Sequence, residues 1–488
     1  MHLLAIDQGT TGTTCLLVNE QQEVVDRSYR EFDQHYPQPG WVEHDPEAIW
    51  TSVMDTISEL NQRHPEGLNL AAIGITNQRE TTIVWDRETG RPVHRAIVWQ
   101  CRRTADFCDQ LKAQGLGEQF SERTGLVLDP YFSGTKVRWI LDHHQLHDQA
   151  RVGQLAFGTV DSFLIHRLTG GAVHATDVTN ASRTLLMNLE TTQWDAWCLD
   201  QLGVPEAMLP EIRSCDAFFG HTQQIPGLPD GVPIHGVLGD QQAALFGQAC
   251  FRQGDAKCTY GTGAFLLANV GAKPVHSRRG LLATPAWQLK GETTYALEGA
   301  TFIAGAAVQW LRDGLGMIER SSDIEALAAS VPDAGGVVFV PALAGLGAPH
   351  WRADARGAFF GMTRGTTKAH IARAVLDGIA LQIVDLLDAI AADADASVAR
   401  LRVDGGAAAN DLLMQTQSDL LAVTIDRPPM LEATGLGAAL VAGLGVGVFD
   451  SLDALSDHWR SEKSFSPARN EDWRAKQRAQ WASATERC

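Results

Sequence analysis

The sequence predicts an α/β protein made of two domains of related architecture that face one cleft. Three observations lead to this prediction. The chain has 488 residues, whereas single hydrophobic cores rarely exceed about 250–300 residues. Strand-like and helical segments alternate along its length. An acidic strand end beside glycine occurs three times, at Asp7, Asp240 and Asp404. We expect an N-terminal domain at 1–249 and a C-terminal domain at 250–488.

In the first half, apolar patterning predicts three strands in HLLAIDQ, TTCLLVNE and QEVVDRS, the first two joined by GTTG. The stretch DPEAIWTSVMDTISELNQ predicts a helix, because Asp45 suits an N-cap, Pro46 suits the first helical position and apolar residues recur at 3–4 spacing. Further strands are predicted in LAAIGIT, TTIVWD and RAIVWQ.

The second half repeats this pattern. PIHGVLGDQQAALFGQ predicts a strand, a turn and a helix, and DAKCTYGTGAFLLANVG predicts a hairpin with a tight glycine turn. LRVDGGAAANDLLMQTQSDLLAVTIDR predicts a strand, a Gly-rich turn, a long helix and a strand. From Ser451 onward the tail predicts amphipathic helix.

Composition and charge exclude several classes of protein. Lys and Arg number 40 against 58 Asp and Glu, a net charge of −18, which argues against a nucleic-acid partner and against a polybasic membrane binder. The opening MHLLAIDQGTTG has no basic n-region, and the longest uncharged stretch, 433–449, is interrupted by five glycines. We expect a cytoplasmic protein with no membrane insertion. The eight cysteines include no C-x-x-C pair, as expected of reduced packing thiols.

Three glycine-containing turns are candidates for phosphate binding. DQGTTG places backbone N–H groups and hydroxyls around an anion-sized concavity, where Asp7 could hold a hydrated Mg²⁺. YGTG at 260–263 repeats this design in the other half, and DGGAAAN at 404–410 adds a glycine turn before a helix. The alternative interpretation is that these are ordinary hairpin or helix-capping turns. The P-loop and protein-kinase motifs are absent.

A polar cluster beside aromatic residues predicts recognition of a polyol. Arg79 and Glu80 stand adjacent between two predicted strands, with Trp99 as an apolar wall and Tyr131 as a phenolic donor. Asp240 ends an apolar strand, where ligands of open α/β sheets bind. The alternatives are a surface ion pair for the first two residues and a simple N-cap for the aspartate.

Long segments of the chain resemble the glycerol kinase family, one of the FGGY sugar kinases with the actin/hexokinase-type ATPase fold. They are DQGTT, PGWVEHDP, GITNQRETTIVW, AIVWQCRRT, TGLVLDPYFSGTK, TDVTNASRT, GDQQAALFGQ, YGTG, YALEGA, QWLRD, GLGAPHW and RVDGGAAANDLLMQ. The resemblance implies two actin/hexokinase-like (ribonuclease H-like) domains flanking a catalytic cleft. Domain 1–249 would then carry the polyol site and the first phosphate turn, and domain 250–488 would bind the nucleotide.

The resemblance also implies an activity: Mg²⁺-dependent transfer of the γ-phosphoryl group of ATP to glycerol, giving sn-glycerol 3-phosphate, by a homodimer or homotetramer. Asp240 would be the general base and Asp7 would orient Mg²⁺. Glycerol would contact Arg79, Glu80, Trp99, Tyr131, Asp240, Gln241 and Phe265. The nucleotide would contact Thr10, Thr11, Gly12, Thr262, Gly305, Gln309, Gly406 and Asn410.

Two stretches depart from the family pattern. Where members commonly carry Ser-Ser-Arg after the first phosphate turn, this chain has Gly12-Thr13-Thr14, and QQIPGLPDGVP has no Arg where some bacterial members bind a sugar bisphosphate. Two other functions stay open: a related carbohydrate or polyol kinase of the same fold, and a non-enzymatic ATP switch. The polyol cluster and Asp240 argue against the switch.

Overall fold

The fold was analysed in a computed structural model that describes residues 1–352, 354–394, 398–429 and 432–488. The strands are β1 His2–Gln8, β2 Gly12–Asn19, β3 Val24–Glu31, β4 Glu43–His44, β5 Leu70–Asn77, β6 Ile83–Asp86, β7 Ala96–Ile97, β8 Leu155–Gly158, β9 Ala175–Asp177, β10 Glu211–Arg213, β11 Phe218–His221, β12 Pro233–Gly239, β13 Ala256–Tyr260, β14 Ala264–Gly271, β15 Leu282–Leu289, β16 Glu292–Thr301, β17 Val338–Val340, β18 Ala358–Phe360, β19 Arg400–Asp404, β20 Thr424–Arg427 and β21 Lys463–Phe465.

The helices alternate with these strands. They are α1 Pro46–Arg63, α2 Ala105–Ala113, α3 Gly117–Thr124, α4 Ser133–His144, α5 His147–Arg151, α6 Val160–Leu168, α7 Val178–Ala181, α8 Ala196–Leu202, α9 Asp240–Gly247, α10 Gly305–Asp313, α11 Asp323–Ala329, α12 Lys368–Ala394, α13 Asp411–Leu421, α14 Ala433–Gly445, α15 Leu452–His458 and α16 Glu471–Glu486, with 3₁₀ turns at Glu206–Met208 and Gly406–Ala409. None of the helices within the described ranges is long and apolar enough to cross a membrane.

Two large sheets share one topology. The first is six-stranded, in the order β11-β12-β5-β1-β2-β3, and the second is seven-stranded, in the order β15-β16-β14-β13-β19-β20-β21. In the first, β1 pairs antiparallel with β2 and parallel with β5. In the second, β13 pairs antiparallel with β14 and parallel with β19. The predicted pair of related α/β units is therefore confirmed.

Helices α9 and α14 pack against each other in a core that includes residues of both sheets. Glycines permit this close approach: a Cβ on Gly437 would lie 1.9 Å from the carbonyl oxygen of Ala243, and one on Gly247 would lie 3.0 Å from the backbone nitrogen of Gly437. Residue 240, the first of α9, is thereby held between the two sheets. This packing positions the site described below.

Most of the predicted elements are present. The hairpins at the two glycine turns form, and Asp45 caps α1 by accepting a hydrogen bond from the N–H of Glu47. Three predictions were wrong in detail. RAIVWQ contributes only the two-residue strand β7, and β12 runs into α9 with no intervening turn. The tail from Ser451 is not helical throughout, because β21 adds an edge strand to the second sheet.

Candidate active site

The ion pair between Arg79 and Asp240 lies at the centre of the candidate site. Arg79 follows β5, and its Nε lies 3.0 Å from Oδ1 of Asp240, the first residue of α9. The N–H of Gln241 donates to the same oxygen at 2.7 Å. The Asp240 side chain is 30% exposed, whereas that of Arg79 is 2% exposed. Burial raises the pKa of Asp240 above its usual value, although Arg79 and Lys257 act against this shift.

Glu80 is buried in the loop after β5 and held there through its main chain and its side chain. Its φ of +59° lies in the left-handed region, which non-glycine residues rarely adopt. The carbonyl oxygen of Glu80 accepts hydrogen bonds from Ser133 Oγ at 3.0 Å and from Lys136 Nζ at 3.2 Å. Its carboxylate accepts one from Nε of Arg183 at 2.6 Å. The surface ion pair considered from sequence is thus excluded, since Glu80 is 1% exposed.

A fully buried carboxylate, Glu298 on β16, joins the two arginines. Arg79 donates to it through both Nη atoms, at 2.5 and 2.9 Å, and Arg183 donates through Nη2 at 3.0 Å. Burial raises the pKa of Glu298, but Arg183 and Arg79 outweigh this effect and lower it to about 2. Glu298 is therefore ionised at neutral pH. It belongs to the second sheet, whereas both arginines come before that sheet in the chain.

Three aromatic rings form a wall next to this charged group. The ring centroid of Trp99 lies 5.7 Å from that of Tyr131 and 6.5 Å from that of Phe265, both in edge-on geometry. The guanidinium carbon of Arg183 lies 5.7 Å from the centroid of the Tyr131 ring. Polar groups and ring faces side by side suit a ligand with hydroxyl edges and a carbon backbone.

Strand register places three side chains on one face of the second sheet. Lys257 lies opposite Leu267, which in turn lies opposite Glu298, so all three share a face. Phe265 is two residues from Leu267 on the same strand and points the same way. The buried Lys257 donates to Oε1 of Gln241 at 2.5 Å, a contact from β13 to α9. The second sheet therefore supplies Lys257, Phe265 and Glu298 to the site.

The glycine turn that joins β1 to β2 contacts the aromatic wall. The Nε1 of Trp99 donates to Oγ1 of Thr10 at 3.0 Å. Thr11 is exposed, and a Cβ on Gly12 would lie 2.5 Å from the carbonyl oxygen of Arg30. Asp7 is at the end of β1, where burial, and then repulsion from Asp240 and Glu432, raises its pKa to about 8. Since burial and repulsion disfavour the charged form of Asp7, a cation bound next to it would stabilise that form.

The second glycine turn contacts the start of α10. The N–H of Gly305 donates to the carbonyl oxygen of Gly261 at 3.0 Å, and a Cβ on Gly305 would lie 2.6 Å from that oxygen. Thr262 is exposed at the tip of the turn, and Gln309 is exposed on α10. The same added Cβ would lie 4.0 Å from the Cβ of Ala407, so the loop after β19 also reaches this point.

The loop after β19 is open to solvent at its second glycine. Gly405 has a φ of +85°, and a Cβ there would lie 2.6 Å from the carbonyl oxygen of Tyr260, whereas a Cβ on Gly406 would meet nothing within 4 Å. Asn410 is the N-cap of α13, its Oδ1 accepting from the N–H of Leu413 at 2.8 Å. The capping-turn interpretation is therefore correct for Asn410, and Gly406 leaves room for a ligand.

Sequence reasoning missed four buried residues that support the predicted ones: Lys136, Arg183, Lys257 and Glu298. Each lies within or next to a segment quoted in the sequence analysis, but the neighbouring residues in the chain do not indicate its role. Their partners are distant in the chain, as with Arg79 and Glu298, which are 219 positions apart. No group of three or more His, Cys, Asp or Glu side chains among the described residues is arranged to hold a metal.

Two related α/β units around a buried polar and aromatic site define a two-domain α/β protein with a site suited to a hydroxyl-bearing ligand, and comparison with known proteins identifies the family. Residues 2–247 match the N-terminal domain of the FGGY family of carbohydrate kinases, and residues 256–446 match its C-terminal domain. The chain therefore belongs to the FGGY family of carbohydrate kinases.

Within that family, the chain is similar over its full length to proteins named glycerol kinase. The one from Myxococcus xanthus is 56% identical, with 100% of this chain and 99% of the relative covered. The one from Burkholderia cenocepacia is 54% identical, with 99% and 97% covered. Among solved structures, Plasmodium falciparum glycerol kinase with ADP superposes with a TM-score of 0.94 at 38% identity, covering 100% of this chain and 98% of that one.

Proposed function

We propose that this protein is an ATP-dependent glycerol kinase, which transfers the γ-phosphoryl group of ATP to a primary hydroxyl of glycerol and releases sn-glycerol 3-phosphate and ADP. The full-length similarity to glycerol kinases supports the reaction class. The observation that carries the choice of acceptor is the pairing of Asp240 with Arg79 beside the ring of Trp99 and its aromatic neighbours. A small triol needs both hydroxyl partners and an apolar wall.

Asp240 is the proposed general base. One of its oxygens, Oδ1, is occupied by Arg79 and by the N–H of Gln241, and no hydrogen bond reaches Oδ2 from any residue that the structure describes. Oδ2 is thus free to accept the proton of the attacking hydroxyl. A base within hydrogen-bond reach contributes roughly 10²–10⁴-fold to such a transfer. Burial, which raises the pKa of Asp240, also makes it a better proton acceptor than an ordinary aspartate.

The remaining acceptor contacts come from the same group of side chains. Glu80 offers a carboxylate, Tyr131 a phenolic hydroxyl and Gln241 an amide, while Trp99 and Phe265 cover the carbon backbone. The aromatic cover also excludes water, which would otherwise compete with glycerol for the phosphoryl group.

The nucleotide is proposed to lie between the glycine turns. Thr10, Thr11 and Gly12 would meet its phosphates from domain 1–249. Domain 250–488 would hold it through Thr262, Gly305, Gln309, Gly406 and Asn410. The open space above Gly406 and the exposed hydroxyl-bearing turn at Thr262 support this assignment. A loose phosphoryl-transfer transition state needs positioning and charge neutralisation more than covalent help.

The residues present fit a magnesium ion. Asp7 is a hard oxygen donor whose pKa is raised to about 8 by burial and then by repulsion from Asp240 and Glu432, so that a divalent cation there would favour its ionised form and offset that repulsion. Mg²⁺ is usually bound by one or two carboxylates together with substrate phosphates. Asp7 would orient the ion, which when bound supplies charge neutralisation at the transferred phosphoryl group.

A panel of acceptors tests this proposal. ADP release is measured with ATP and glycerol, a four-carbon polyol, a pentulose, or no acceptor. We expect glycerol to give the largest kcat/KM and the acceptor-free rate to be low. A larger kcat/KM for the pentulose or the four-carbon polyol would assign the protein to another carbohydrate kinase, and ATP turnover independent of every acceptor would favour the ATP switch.

A further inference from the structure

Glu298 occupies a position that neither the acceptor nor the nucleotide contacts explain. Its side chain is 0% exposed, and it accepts three hydrogen bonds from Arg79 and Arg183. A buried carboxylate is costly to desolvate and needs compensation by paired charges and hydrogen bonds. Here the compensation comes from two arginines that also contact Asp240 and Glu80, the two carboxylates of the proposed acceptor site.

The geometry of Arg79 shows how Glu298 acts on the site. Both Nη atoms of Arg79 are directed to Glu298, and Nη1 also donates to Oε1 of Gln242 at 3.1 Å. A guanidinium is planar, so this grip fixes the plane of the group and with it the direction of Nε. Nε is the atom that lies 3.0 Å from Asp240. Glu298 therefore determines where the Arg79–Asp240 contact is made.

Arg183 extends the same arrangement to the second carboxylate. Its Nη2 donates to Glu298 and its Nε donates to Glu80, while its guanidinium carbon lies 5.4 Å from the centroid of Phe132. Asp240 and Glu80 are thus each linked to Glu298 through one arginine: Asp240 through Arg79 and Glu80 through Arg183. Glu298 comes from β16, in the second sheet.

We propose that Glu298 is a positioning residue for phosphoryl-acceptor activation: through Arg79 it orients Asp240, and through Arg183 it orients Glu80. The inference rests on the proposed function, and it adds a role for the second sheet in building the acceptor site. Asp240 begins α9 directly after β12 of the first sheet, whereas Glu298 lies on β16 of the second sheet. The base is therefore correctly placed only when the two halves of the molecule are in register.

Glu298→Gln tests this role, because it preserves shape and removes charge. In the wild type, the negative charge of Glu298 raises the pKa of Asp240, in addition to the larger effect of burial. We expect the acid limb of the kcat/KM profile to move to lower pH and kcat to fall roughly 10- to 100-fold, as misplaced catalytic groups do. KM for the acceptor rises, while the affinity for ADP, measured by calorimetry, stays unchanged.

Two further variants separate positioning from folding. Glu298→Asp keeps the charge but is too short to reach both arginines, so kcat falls while the acid limb stays in place. Asp426→Asn is the matched control: Asp426 is also fully buried in the second sheet and pairs with Arg400 at 2.5 Å, away from the acceptor residues. It is expected to lose stability without a change in the acid limb or in acceptor KM.

The wild-type acceptor panel is run first, and every variant is then assayed with the acceptor that the wild type prefers. Failure of glycerol in that panel contradicts the proposed function and leaves the positioning role to be judged with the preferred acceptor. The positioning role is overturned if Glu298→Gln keeps kcat within twofold and its acid limb unmoved. It is also overturned if both Glu298 variants lose ADP binding in parallel with activity.

Discussion

Arg79 and Asp240 form an ion pair although they lie far apart in the chain: Nε of Arg79 is 3.0 Å from Oδ1 of Asp240. Arg79 follows β5 and Asp240 follows β12, and these strands are parallel neighbours, so their carboxyl ends meet at the same edge. Ligands of open α/β sheets bind at such an edge. The contact occupies one carboxylate oxygen of Asp240 and leaves the other without a hydrogen bond from any residue that the structure describes.

Asp240→Asn should lose most of kcat while binding of the acceptor changes less. An amide preserves the size of the side chain and its contact with the N–H of Gln241, but it cannot take up the hydroxyl proton. We expect a loss on the order of 10²-fold or more in kcat. Steady-state kinetics with ADP release as readout measures it. Activity within a few-fold of wild type would remove Asp240 from the role of base.

The pH dependence of the wild type should show the raised pKa of Asp240. Burial raises it, with Arg79 and Lys257 opposing. A base works in its deprotonated form, so kcat/KM falls as pH drops through this pKa. The acid limb should therefore lie above the usual aspartate value of about 3.9. Profiles at saturating ATP and Mg²⁺ test this, and a limb at the ordinary value would show that burial does not tune the base.

Lys136→Met should weaken acceptor binding more than catalysis. Lys136 is buried and donates to the carbonyl oxygens of Tyr131 at 2.6 Å and of Glu80 at 3.2 Å, and burial lowers its pKa to about 8. Without these bonds two proposed acceptor contacts lose their support, and we expect acceptor KM to rise roughly tenfold. Lys112→Met, at a half-exposed lysine, is the control. Equal KM values for both variants would contradict this role.

The glycines between α9 and α14 should be intolerant of a methyl group. In Gly437→Ala the new Cβ would lie 1.9 Å from the carbonyl oxygen of Ala243, so the helices must separate. We expect the free energy of unfolding to fall by about 1–3 kcal/mol or more, and kcat to fall because α9 begins with Asp240. Gly117→Ala, where a Cβ meets nothing within 4 Å, is the matched control. Chemical denaturation followed by circular dichroism compares the two, and similar midpoints would refute the prediction.

The two related sheets and the glycine turns could be predicted from the sequence because both depend on local signals. Strands show apolar runs, Asp45 and Pro46 mark the start of α1, and tight turns require glycine. Glu298 carries no such signal, because a glutamate in the apolar strand β16 is explained only by arginines far away in the chain. β21 has only three residues, too few for a periodic pattern. What sequence reasoning missed is the part of the site that depends on long-range pairing.

Thr14→Arg should tighten nucleotide binding without creating activity. Thr14 lies opposite Asp7 in the β1–β2 pair and is 8% exposed. Directly opposed residues have Cβ atoms about 4.5–5.5 Å apart, so an arginine there would extend beside Asp7 toward the turn between β1 and β2. A charge-assisted contact is roughly twice as strong as a neutral one. We expect several-fold tighter ADP binding and little change in kcat.

The gain should depend on salt and on charge. Salt screens charge interactions that reach solvent, and Thr11 in the same turn is exposed, so the tightening should shrink as salt is raised. Thr14→Gln, which adds length without charge, is the control and should leave ADP affinity unchanged.

The alternative is that another arginine already contacts the nucleotide phosphates: Arg364 is exposed, whereas Arg373 is paired with Asp377 at 2.9 Å. Calorimetric titration of ADP at two salt concentrations shows whether Thr14→Arg supplies a missing cation or whether another arginine already supplies it. Equal affinity of wild type and Thr14→Arg at low salt would mean that the phosphates already have their cation, and would turn attention to Arg364.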